Sequence, residues 1–340
     1  MSLAILIRAS TRVYLCCIVP AKITSCSPAP ELDSTSSCEN ILAHVSLRVA
    51  IWIMAIAAFA GNLLVIMSNH CRNDHNLSKN TSLVFSNLAA SDFLMSLYLF
   101  IIAIGDINYR NRYAQYAEEW LRSIACASAS FLICTSSLMS VIMMLLISID
   151  RYMVTSNPFS TSDIRYKWTK IILISGWLFT GTFVAIPIIM SINQTGDLRL
   201  HEFSSICSPS NINNTFFAVW IIVFVGTQVI FWILTAIFYI MLLKAVDKSR
   251  RSVQSSAQSR NFAIAIRLSL ILITDLITWL PVYVFFASTL IYGELNIFTL
   301  QFAIILAIPL NSAINPYIYT ATGTVYFNRF LAFFTGNKKA

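Results

Sequence analysis

Long apolar runs alternate with short polar intervals along almost the whole chain. A helix needs roughly 20 mostly apolar residues to cross about 30 Å of hydrocarbon. The pattern supplies such a run seven times: Val45 to Ser68, Thr81 to Ile104, Ser123 to Val154, Trp168 to Met190, Thr215 to Leu243, Phe262 to Ser288 and Ile297 to Thr320. The intervals are short, so consecutive helices are antiparallel neighbours, and the predicted fold is all-α, a seven-transmembrane helix bundle. After span seven, Gly323 interrupts the run, and Val325, Tyr326, Phe327, Phe330, Leu331, Phe333 and Phe334 follow with Arg329 and Lys338 nearby. That pattern predicts a short amphipathic helix lying on the inner leaflet. The chain thus divides into an extracellular segment (1–44), the bundle (45–320) and an amphipathic helix with a short cytoplasmic tail (321–340).

Composition agrees with a lipid environment: 57% of residues are hydrophobic and 11% charged, a poor balance for a water-facing surface. Charge then orients the bundle. Segments 69–79, 156–167, 245–261 and 321–340 carry net charges of +1, +1, +3 and +3, whereas 105–122, 191–212 and 289–296 carry 0, −1 and −1. Lys and Arg collect on the cytoplasmic side, which puts the N-terminus outside, with the plasma membrane as the expected location and lipid as the surrounding partner. The net charge of +8 reflects this topology. No basic patch is interleaved with aromatics, so a nucleic-acid partner is not expected. At the start of the chain, Arg8 and Arg12 precede the short apolar stretch Val13 to Pro20. This reads either as a signal peptide within 1–25 or as part of the linker that continues, rich in Ser, Pro and acidic residues, to Asn40.

Topology also sorts the eight cysteines. Cys71 faces the reducing cytosol and Cys134 lies inside span three, while Cys126 and Cys207 share the oxidising side and are expected to form a disulfide. Cys26 and Cys38 are candidates for a second bridge, with free or intermolecular thiols as the alternative. Asn193, in an outer sequon, is the expected glycosylation site; Asn213 abuts span five, where the membrane hinders the modifying enzyme.

Ionisable groups in mid-membrane are costly and usually face a bundle interior with a task. Asp92 lies midway along span two, and Asp275 lies in span six one turn before Trp279 and on its face. Span seven carries Pro309, Asn311, Ser312, Asn315 and Pro316; Asn311 and Asn315 share a face, and Pro316 permits a kink, as does Pro281 in span six. Asp92, Ser140, Asn311, Ser312 and Asn315 are expected to line one polar pocket whose oxygens suit a sodium ion, or water alone. At the inner end of span three, Asp150 and Arg151 are adjacent. Such a pair can neutralise itself at rest and exchange partners when a neighbouring helix moves.

Together these landmarks resemble the rhodopsin-like G-protein-coupled receptors: Gly61-Asn62, Leu88 to Asp92, Cys126, Asp150-Arg151-Tyr152, Trp177, Trp279-Leu-Pro281 and Asn315-Pro-Tyr-Ile-Tyr319, in order and at the right depth. A narrower likeness is to the relaxin-receptor and glycoprotein-hormone-receptor group. It rests on Ser37 to His44, Gly105 to Arg110 with Tyr113, Tyr116 and Trp120, Ser269 to Pro281 with its Asp275, and Leu310 to Pro316. Members of that group carry a leucine-rich-repeat ectodomain, and nothing in this sequence matches such repeats. The resemblance implies that Asp150, Arg151, Tyr152, Asp275, Trp279, Pro281, Asn315, Pro316 and Tyr319 form the coupling and switch machinery, with Asn315 the suggested partner of Asp275. Asn261 stands where many relatives place an acid facing the arginine of span three, so that restraint is absent here. Span seven lacks a retinal-binding lysine and Ile133 replaces the amine-binding aspartate, leaving a peptide or protein ligand.

The expected function is that of a receptor passing an extracellular signal, a peptide or protein hormone, to heterotrimeric G proteins by helix rearrangement. No Ser/His/Asp constellation, H-E-x-x-H or phosphate-cradling glycine loop points to an enzyme, and no cofactor beyond a sodium ion is expected. The alternatives are a non-signalling pseudo-receptor fragment and, further off, a seven-helix transporter or channel using Asp92 and Asp275 as ion-path residues.

Overall fold

The computed structural model describes Cys17 and residues 36–70, 79–156, 162–192, 194, 198–202, 204–252, 273–275, 277–281, 283–284, 287 and 303–321. Span one is Val45–His70, span two Lys79–Asn108, span three Ile124–Ser156, span four Ser162–Ser191 and span five Thr215–Ser252. Among the described residues these five helices are long and apolar enough to cross a membrane. Span six is described in helical pieces around Asp275 and Trp279. Span seven is the helix Ile308–Ala321, preceded by a π-helical turn at Ala303–Ala307. The predicted amphipathic helix after span seven lies outside the described residues.

Span three is the axis of the bundle, with most of its hydrophobic length buried, whereas spans four and five expose most of theirs. In lipid there is no hydrophobic penalty for such exposure, which is why Ile171, Leu178, Ile189, Val219, Ile230 and Ile237 point outward without cost. Small residues let the helices approach. A Cβ on Gly61 would lie 2.9 Å from Pro316, so span seven rests against the backbone of span one there.

One element has no counterpart in the predicted list. A short outer helix, Tyr113–Arg122, runs between spans two and three. It is amphipathic: Tyr113, Ala114, Ala117, Trp120 and Leu121 are buried, while Gln115 and Glu119 face out. Gly105 makes room for it, because a Cβ at that position would meet the Trp120 ring at 2.7 Å.

Candidate functional site

Span seven is held between two buried carboxylates. Asp92 of span two is completely buried and accepts hydrogen bonds from Ser312 Oγ at Oδ1 and Asn315 Nδ2 at Oδ2, both 2.9 Å. Asp275 of span six accepts from Asn311 Nδ2 at Oδ1, 2.6 Å. Span one adds a third tie, since Asn62 Nδ2 donates to the Ser312 carbonyl at 3.0 Å. An unpartnered carboxylate in this environment would cost several kcal/mol, so these donors fix the register of span seven against three helices at once. The expected Asp275–Asn315 pair is corrected: Asn311 takes Asp275. Asn315, one turn further in, lies level with Asp92 and is used there. The predicted polar pocket therefore closes on itself through Ser312 and Asn315. Asn311 Oδ1, Asn315 Oδ1 and Ser140 Oγ are buried without hydrogen-bond partners. Like the Asp92 carboxylate, these are hard oxygens of the kind a hard cation takes.

At the inner end of span three, Asp150 and Arg151 form the expected pair at 2.7 Å. Asp150 also accepts from Asn80 Nδ2 at 2.6 Å and has Arg165 of span four at 3.9 Å. The Arg151 guanidinium also donates to Thr81 Oγ1 of span two. The pair is thus fastened to spans two and four. Tyr152 packs its ring near Phe238 of span five, with centroids 6.2 Å apart.

The outer mouth is covered. The disulfide Cys126–Cys207 joins span three to the loop before span five, and that loop is pinned further where Trp120 Nε1 donates to the Ser205 carbonyl at 2.8 Å and Tyr98 Oη to the Ile206 carbonyl at 3.1 Å. Arg199, itself buried, reaches both Glu118 oxygens of the outer helix at 3.1 and 3.2 Å. His201 Nε2 lies 2.9 Å from the Leu121 carbonyl. Burial pushes the His201 imidazole down to about 4; Arg199 adds to the shift and the Leu121 carbonyl opposes it.

The segment ahead of span one is built into this cover. Ile41 and Leu42 are fully buried. The Leu42 N–H donates to Asp106 Oδ1 at 2.8 Å, Arg48 pairs with Asp106 at 3.2 Å, and the N–H groups of Tyr113 and Ala114 donate to the Glu39 and Cys38 carbonyls. The second disulfide is corrected as well: Cys38 is bonded to Cys17, not to Cys26. This bond ties Cys38 to the apolar stretch that also reads as a signal peptide.

Comparison with known proteins agrees with this geometry. Residues 61–319 match the family described as 7 transmembrane receptor (rhodopsin family). The chain belongs to the rhodopsin family of seven-transmembrane receptors. It is 29% identical to the G-protein coupled receptor GRL101 of Lymnaea stagnalis over 94% of this chain and 28% of that protein. It is 28% identical to relaxin receptor 2 of Homo sapiens, over 87% of this chain and 40% of the relative. With the follicle-stimulating hormone receptor of Cairina moschata it shares 27% identity over 87% of this chain and 41% of that receptor. The chain therefore spans less than half the length of these relatives.

As a rhodopsin-family receptor it is a multi-pass membrane protein, and its similar proteins are receptors, not enzymes. The landmarks divide by region. Asp92, Ser312 and Asn315 meet, Asn311 meets Asp275, and Asp150 meets Arg151. Trp279 is buried and stacks on Tyr283 at 5.6 Å, while Pro281 is partly buried and Pro316 buried against span one. Tyr319 lies in the span-seven helix, its side chain outside the described part, as is Asn193. Trp177 donates to Asn87 Oδ1 at 2.9 Å and so fastens span four to span two. Sequence reasoning missed Asn80, Thr81 and Arg165 around the inner pair. Their only signal was a polar residue at the end of an apolar run, which many helix ends share.

Proposed function

We propose that this chain is a plasma-membrane receptor, N-terminus outside, that passes an extracellular peptide or protein hormone signal to a heterotrimeric G protein. The observation that carries this reading is the double hold on span seven: Asp92 on one side through Ser312 and Asn315, Asp275 on the other through Asn311, by hydrogen bonds that a helix shift breaks. Names of similar proteins, relaxin receptor 2 and follicle-stimulating hormone receptor, support a hormone of peptide or protein nature.

The docked segment 36–44 offers the route inward. It contacts the start of span one, the end of span two and the outer helix, and Ser205 Oγ donates to the Ile41 carbonyl at 3.4 Å. A pull on this segment therefore acts on the loop that is bonded to span three. At the other end, a shift of spans six and seven frees the inner face, where Arg151 leaves Asp150 for the G protein and Arg165 and Asn80 keep the carboxylate partnered. The equilibrium between the two arrangements moves only as far as the ligand or G protein prefers one of them. A sodium ion, held by Asp92 with Ser140, Asn311, Ser312 and Asn315, would add positive charge between the carboxylate and span seven and favour the resting arrangement.

Agonist-independent nucleotide exchange on a panel of purified heterotrimers, in membranes carrying the chain, tests the reading. Asp275→Gly is expected to raise exchange above the parent chain at equal surface density. If neither chain stimulates any heterotrimer, the receptor reading fails.

A further inference from the structure

At the inner end of span three, Asp150 stands between two arginines and hydrogen-bonds only one of them. Its Oδ2 accepts from Arg151 Nη2 at 2.7 Å. Its Oδ1 accepts from Asn80 Nδ2 at 2.6 Å. Arg165 Nη1, in the first turn of span four, lies 3.9 Å from that same Oδ1, within ion-pair range but beyond hydrogen-bond reach. The Arg165 Nε and Nη1 groups are buried without a hydrogen-bond partner, although buried donors are almost always partnered. Arg151 has a second hold of its own, on Thr81 Oγ1. Neighbouring residues of span two thus serve neighbouring residues of span three: Asn80 takes the acid and Thr81 the base.

We propose that Asn80 is a positioning residue that decides which arginine Asp150 holds. Its amide pulls the carboxylate toward span two, keeps Oδ1 short of Arg165 and presents Oδ2 to Arg151, so the resting pair persists. The two competitors sit on helices that are tied to each other, because Trp177 of span four donates to Asn87 of span two at 2.9 Å. A displacement of span three toward span four by about 1 Å closes the gap from 3.9 Å to an ordinary hydrogen bond. A carboxylate oxygen accepts two bonds, so Arg165 joins Asn80 on Oδ1 as Arg151 leaves. The carboxylate then keeps a cationic partner in both arrangements, and a bare buried charge never forms. The selection rests on the receptor reading above.

The test is agonist-independent nucleotide exchange at equal surface density. Asn80→Ala frees Oδ1 for Arg165 at rest and is expected to raise exchange by roughly fivefold, the scale of coupling within one hydrogen-bond network. Asn80→Ser, too short to hold the carboxylate, replaces it if the alanine variant does not reach the surface. Arg165→Gln removes the competing cation and brings exchange in the Asn80→Ala background back to the parent level or below. In the Asp275→Gly background Asn80 still partners Asp150, and Arg165→Gln lowers exchange by a smaller factor. A cluster that merely pinned the helix ends together would be loosened further by the second substitution, and the double variant would signal at least as strongly as Asn80→Ala. That outcome overturns the selection, as does an equal factor in the two backgrounds or no rise with either Asn80 variant. The receptor reading falls separately, and only if the parent and Asp275→Gly chains are both silent.

Discussion

Asp275 accepts a charge-assisted hydrogen bond from Asn311 at 2.6 Å, and such bonds contribute about 1.5–3 kcal/mol. Its removal in Asp275→Gly is therefore expected to shift the two-state equilibrium by roughly ten- to a hundredfold toward the switched arrangement and to raise basal nucleotide exchange accordingly, and unaltered exchange at matched expression would sink this account of the resting state. His201 gives a second residue-level expectation. Its folded-state value is lowered to about 4 from an ordinary value near 6.5, so between those values the unfolded chain binds the extra proton. Stability is fully present above about 6.5, falls as pH drops through the window at up to about 1.4 kcal/mol per unit, and is flat below about 4. Thermal unfolding of the purified receptor from pH 7 to 4 should show this slope, and His201→Gln should flatten it. The burial and pairing of Asp92 and Asp275 were legible because an ionisable group in an apolar run is conspicuous and needs partners. The choice between Asn311 and Asn315 was not. The two lie one turn apart on one face, and only the depth of span six against span seven decides which of them meets Asp275.

At the level of elements, apolar run length located the spans but not their ends. Span five was expected to stop at Leu243, and the helix continues to Ser252. Hydrophobicity marks where lipid ends, while backbone hydrogen bonding carries on into water. The outer helix Tyr113–Arg122 was missed although its burial pattern was present, because a ten-residue amphipathic helix is far below spanning length. Its seat on Gly105 gives a direct test. In Gly105→Ala the new methyl meets Trp120 at 2.7 Å, the ring must shift, and its 2.8 Å bond to the Ser205 carbonyl is strained; overpacking of this kind costs about 1–3 kcal/mol. Gly181→Ala is the control, since a Cβ there meets nothing within 4 Å and replacing a helical glycine stabilises by roughly 0.5–1 kcal/mol. The expected result is a lowered melting temperature for the first and an unchanged or raised one for the second. A tolerant Gly105 would mean that the outer helix does not depend on this seat.

Across the whole molecule, sodium dependence probes the Asp92 pocket. Replacing choline with sodium at constant ionic strength should raise the melting temperature of the parent and lower its basal exchange, with neither effect in Asp92→Asn. An equal response in both chains would show that the ion acts elsewhere or by screening alone. A wider consequence follows from the way the outer cover and the inner charge pair are joined through span three, which bears Cys126 at one end and Asp150-Arg151 at the other. Binding free energies at two ends of one equilibrium are reciprocal. Whatever factor an outer ligand contributes to G-protein affinity, a G protein bound inside must return to the ligand. A nucleotide-free heterotrimer should therefore slow the ligand's departure from the outer mouth, and adding guanine nucleotide should restore the faster rate.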